Sequence, residues 1–153
     1  MKKYLKRIII VLIIAFIGIQ FIPRTYNLRD TFSENDISKT FDVPENIQLI
    51  FETSCYDCHS NNTEYPWYNK IQPVSYFMED HITEGKEELN FSEIGSYSKR
   101  RLKSKLKSII SQIDDEEMPM FSYTIIHRDA ILSEEEKEQI KDWVSENLNL
   151  LSK

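Results

Sequence analysis

The chain contains two cysteines, three residues apart, and a histidine follows the second directly: Cys55-Tyr56-Asp57-Cys58-His59. On a helical turn, positions i, i+3 and i+4 share one face. The spacing therefore predicts a turn that presents two thiols and one imidazole to a common partner, with the rest of the fold leaving room in front of it. A framework of structural disulfides would need more cysteines set farther apart, so the pair reads as a local site. Only three glycines and five prolines punctuate 153 residues, which favours helices over a many-turned sheet. The expected fold class is all-α, with room for one compact domain and an anchoring segment but not for two ordinary cores.

Three stretches are distinguished along the chain. Residues 1–23 open with Lys2, Lys3, Lys6 and Arg7 and continue as a nearly uninterrupted apolar run from Ile8 to Ile22, in which Gln20 is the clear polar exception. This pattern predicts an uncleaved signal anchor or single transmembrane helix, because no small-residue cleavage site follows it. The basic end would stay in the cytoplasm and place the remainder outside, at the outer face of the inner membrane in the periplasm. Residues 24–40 are polar and without periodicity, and are expected to be a linker. Residues 41–150 should form the folded domain.

Four helices are predicted within that domain. The first runs from about Pro44 into the cysteine motif, with Ile47, Ile50 and Phe51 on its apolar stripe. The second covers about Pro73 to Lys86, where Val74, Phe77, Met78, His81 and Ile82 share one face and turn His81 inward. The third spans roughly Ser98 to Glu116, burying Leu102, Leu106, Ile109, Ile110 and Ile113, and stops at Met118-Pro119 because the residue before proline avoids helical geometry. The fourth opens at Ser133, with Glu136 completing a capping box, and buries Ile140, Trp143 and Val144.

Two thiols and a histidine on one turn meet the needs of a c-type haem. The thiols of Cys55 and Cys58 would add across the two vinyl groups of one porphyrin, and His59 would reach the iron from the same side. A thioredoxin-like dithiol would want a preceding strand and a βαβ context, and neither is indicated. A zinc site would need His81 or His127 to complete it without any zinc-type spacing. One covalent haem c is therefore the expected cofactor. For the sixth ligand Met118 is the favoured donor, since Pro119 stiffens a loop that follows a long helix, and thioether sulfur favours ferrous iron. His81 is the alternative metal ligand, and Met120 a further one. Trp67, Tyr68 and Tyr123 are candidates for lining the haem, while His127 reads as a surface or structural residue in a loop.

The pattern extends beyond the cysteine motif. Cys55 to Asn61, Tyr65-Pro66-Trp67-Tyr68, Pro73-Val74-Ser75, Asp80-His81, Gly85, Leu89-Asn90-Phe91-Ser92, Met118-Pro119, Tyr123, His127, Leu132-Ser133 and Trp143 resemble the haem-binding-domain family of bacterial membrane-anchored single-haem cytochromes. The resemblance covers about Phe41 to Trp143. It implies a cytochrome c-like helical domain behind an N-terminal membrane anchor, without a defined catalytic role, and it raises the interest of His81. Met120 stands where similar sequences often carry proline or leucine.

The expected function is single-electron transfer rather than catalysis. The competing readings are a peroxidase-type haem enzyme, which needs a vacant distal position, and a haem-based sensor or assembly subunit. The net charge of −6 includes four cations before Pro23, so the outer domain is more acidic than the chain as a whole. That charge disfavours nucleic acid and favours redox partner proteins with a basic docking surface.

Overall fold

Serines supply the start signals of two long helices. The hydroxyl of Ser98 accepts from the Arg101 backbone N–H at 3.3 Å. Ser133 accepts from the Glu136 N–H at 3.3 Å while the Glu136 carboxylate takes the Ser133 N–H at 2.8 Å. Each bond satisfies a donor that a helix start would otherwise leave unpaired. In this computed structural model, which describes residues 2–29 and 33–153, the helices are α1 (Lys2–Ile19), α2 (Ile37–Thr40), α3 (Glu45–Ser54), α4 (Tyr56–His59), α5 (Val74–Glu88), α6 (Lys99–Asp114), α7 (Phe121–Thr124) and α8 (Glu134–Leu150). Short 3-10 segments occupy Trp67–Lys70, Phe91–Ser96 and Arg128–Ala130. Among the described residues there is no strand, so the fold is all-helical.

The core is built where α3, α6 and α8 bring their apolar stripes together. Ile47, Ile50 and Phe51 come from α3, Leu102, Leu106 and Ile113 from α6, and Ile140, Trp143 and Val144 from α8. Phe51 stacks on Phe91 at 5.0 Å between ring centroids and meets Trp143 edge-on at 5.6 Å. The indole N–H of Trp143 donates to the Asp42 carbonyl at 3.0 Å, so the ring is buried without an orphaned donor. Each large apolar side chain buried in this way contributes roughly 1.5–3 kcal/mol.

Several expectations are modified. The first domain helix does not run unbroken into the motif: it ends at Ser54, and Cys55, with φ −128°, sits between α3 and α4. The break redirects the motif turn onto α5. On α5 the buried residues are Ser75 and Ile82, whereas Val74 is exposed and Phe77 is 55% exposed, because α4 and the Trp67–Lys70 turn cover only a narrow line of this helix. On α6, Ile109 and Ile110 are half-buried, and the helix ends at Asp114, where Glu116 takes a positive φ of 57°.

The expectation of a bilayer-spanning N-terminal helix finds no support in the structure. Among the described residues no helix is long and apolar enough to cross a membrane. Lys2, Lys3, Lys6 and Arg7 occupy the first turns of α1. At 1.5 Å per residue the remaining apolar length, Ile8 to Ile19, is about 18 Å against a hydrocarbon layer of about 30 Å.

The segment expected to be a linker is packed on the domain over its described parts. Asn27 is bonded to Tyr65, Ser60 and Thr63, and Ile37 is completely buried in the core. Its polar composition concealed this, because its role is carried by hydrogen bonds and one isoleucine.

Candidate functional site

The motif turn is held by its own backbone and by α5. The N–H of His59 donates to the Cys55 carbonyl at 3.0 Å, which closes one helical turn and puts Cys55, Cys58 and His59 on one face. The turn lies directly against Gly85, where a Cβ would stand 2.8 Å from the carbonyl oxygen of Cys58. That close approach lets His59 Nδ1 reach two carbonyls at the end of α5, Gly85 at 2.8 Å and Leu89 at 2.9 Å. Carbonyls only accept, so Nδ1 carries the proton and Nε2 keeps its lone pair for a metal. Both cysteines are free thiols. Burial is the main cause that pushes Cys55 up to about 12 and Cys58 up to about 11, so they are protonated and unlike an activated thiolate pair.

In front of this face lies a cavity of about 600 Å³. Its apolar walls include Phe51, Leu89, Phe91, Ile109, Ile113, Leu132 and Ile140, and both cysteines and His59 line it. Met118, Met120 and His81 line it as well, so every candidate ligand faces one space. Their placement relative to α5 separates them. His81 is one turn before Gly85 on α5, the helix that holds His59, and its Nδ1 donates to the Phe77 carbonyl at 2.6 Å. His81 therefore comes from the helix that holds His59, whereas Met118 and Met120 enter from the segment after α6. The Met118 N–H donates to the Gln112 carbonyl at 3.1 Å, fixing that segment against the end of α6.

Exposed acids rim the cavity: Glu84, Glu88 and Glu117. Glu88 pairs with Lys105 at 2.8 Å, and that hydrogen bond holds its carboxyl below the usual carboxylate range. Asp57 accepts from the Tyr123 hydroxyl at 2.7 Å and from the Glu64 N–H at 2.9 Å. Burial, and then the Asp57 carboxylate, raise the Tyr123 phenol well above its ordinary value. Tyr123 stacks on His127 at 4.2 Å, and His127 Nε2 shares a hydrogen bond of 2.6 Å with the Tyr68 hydroxyl. His127, expected to be a surface or structural residue of a loop, is tied through Tyr123 to a wall of the cavity.

A second tier braces the loop after the motif. The Asn27 amide donates to the Ser60 carbonyl at 2.8 Å and to Thr63 Oγ1 at 2.9 Å, and Thr63 Oγ1 donates to the Asp57 carbonyl at 2.7 Å. Asn90 donates to Asn61 Oδ1 at 2.9 Å, and the Asn61 amide donates to Glu93 at 2.8 Å. Sequence reasoning missed Asn27 and the Asp57–Tyr123 bond, and polar residues scattered through loops carry no periodic signal that would have found them.

The free Nε2 of His59 and the apolar walls fit a haem, whose iron can take an imidazole ligand and whose ring suits a largely apolar enclosure. The sequence profile of the haem-binding domain matches residues 14–146, most of the chain. The chain belongs to the haem-binding domain family. Membership supports haem binding by the chain, and the cavity beside His59 fits such a group. No curated protein and no solved structure matches the chain.

Proposed function

We propose that this haem-binding domain is a c-type electron carrier that holds one haem covalently. In this reading Cys55 and Cys58 would form the thioethers, and His59 and Met118 would hold the iron. The observation that carries it is the His59 arrangement: Nδ1–H is consumed by two carbonyls, and both thiols line the same cavity. Haem bound there supplies a one-electron iron couple at a potential set by its ligands and enclosure. Met118 is favoured over His81 because it enters from the segment after α6, a different part of the chain from α5, which already holds His59. The apolar walls exclude water and keep the electrostatic surroundings of the metal fixed.

The acids Glu84, Glu88 and Glu117 at the rim support a partner with a basic docking surface. Export to the outer face of a bacterial membrane accords with an N-terminal helix whose apolar side chains are exposed all round, such as Ile8, Leu12 and Ile17. Such a surface needs an apolar phase to cover it, so α1 would hold the domain at the membrane.

The test is to produce the full chain in a host competent for cytochrome c maturation and extract it with acidified acetone. Retained colour, a pyridine haemochrome of the thioether type and a mass increase of one haem are expected. Colour lost to the solvent, or never acquired by the full chain, would sink the covalent reading.

A further inference from the structure

Four aromatic side chains form a continuous series from the cavity to the surface. Tyr123 lines the cavity, Tyr123 and His127 stack at 4.2 Å with an interplanar angle of 11°, and His127 bonds to Tyr68 at 2.6 Å. Tyr68 meets Trp67 edge-on at 5.8 Å, and Trp67 is 74% exposed. An exposed tryptophan contributes little to the fold and is the residue type that most often anchors a partner.

We propose that Tyr123, His127, Tyr68 and Trp67 are the route by which electrons pass between the haem cavity and a one-electron carrier protein that docks on Trp67. This rests on haem binding in the cavity. Electronic coupling falls steeply across empty space and much less across stacked rings, short hydrogen bonds and covalent bonds; Tyr123 stacks on His127, His127 is hydrogen-bonded to Tyr68, and Trp67 is the covalent neighbour of Tyr68. In one direction of transfer the reduced partner loses one electron, ferric iron gains it, and the four side chains return unchanged. No proton has to leave the protein.

The experiment uses the full-length holoprotein. With Cys55 and Cys58 consumed as thioethers, a Lys70→Cys variant has one free thiol, on the same turn as Trp67, to carry a ruthenium photoreductant. A second label at Lys107→Cys, on α6, serves as reference. His127→Leu and Tyr68→Leu should each slow light-triggered reduction from the Lys70 position several-fold, and Tyr68→Phe should slow it less. The rate from the Lys107 position, the visible spectrum and the midpoint potential should not move. Equal rates from the Lys70 position in all variants, or equal slowing from both labels, would overturn the route while leaving haem binding intact. A protein that takes up no haem overturns both readings, and does so before any label is attached.

Discussion

Gly85 shows how a single missing methyl group shapes the site. A Cβ there would press on the Cys58 carbonyl at 2.8 Å, and backbone cannot yield as a flexible side chain can. Gly85→Ala would gain up to about 1 kcal/mol of helix propensity, but overpacking costs about 1–3 kcal/mol, and the clash should win. The expected outcome is a lower urea midpoint together with a reduced haem-to-protein ratio, since the same shift displaces His59 from Gly85. Met118 is tested by spectroscopy. Met118→Ala should turn a low-spin ferric spectrum into one that binds cyanide readily, and the ferrous form should bind carbon monoxide. His81→Ala should leave the spectrum as it was. The opposite pattern would make His81 the ligand, and a change confined to Met120→Ala would select Met120.

At the scale of elements, what the sequence revealed follows the reach of the interactions involved. The capping box at Ser133 and Glu136 is local, so residues three apart disclose it, and α8 begins there. Ser133→Ala should lower stability by about 1 kcal/mol in urea unfolding, with no change in the haem spectrum. The stripes of α6 and α8 were also readable, because their periodicity persists over several turns. The break at Cys55 was not: it depends on Gly85 drawing α4 toward α5 across 30 residues of chain, and no pattern near Cys55 encodes it. The exposed side of α5 escaped for a similar reason. Its apolar residues suit a buried face, but among the described residues Phe77 is left 55% exposed. The 3-10 turns at Trp67–Lys70 and Phe91–Ser96 are too short to show a period. At the site, the ligand candidates were legible from spacing, whereas the Tyr123–His127–Tyr68 series joins residues more than fifty positions apart.

For the whole molecule, the informative boundary lies between α1 and residue 24. Gln20 exchanges two hydrogen bonds of 3.0 Å with the Gln72 backbone, and the Thr25 side chain and N–H bond to Glu79 at 3.0 Å. These bonds are exposed or half-exposed, and each contributes about 0.5–1.5 kcal/mol at most. The segment beyond them is different in kind. Ile37 is completely buried against Phe91 and Ile94, so it behaves as core although it precedes the motif by 18 residues. Ile37→Ala should therefore cost about 2–5 kcal/mol, as a buried aliphatic truncation does. A chain that begins at residue 24, behind a cleavable leader, should lose only the small Gln20 contribution and keep the spectrum of the full protein. The same truncation should move the protein from the membrane fraction to the supernatant when cells are fractionated in ordinary buffer, because α1 would hold the full chain at the membrane. Were residues 24–40 a mere spacer, Ile37→Ala would leave the urea midpoint unchanged, and a chain beginning at residue 41 would be as stable as one beginning at residue 24.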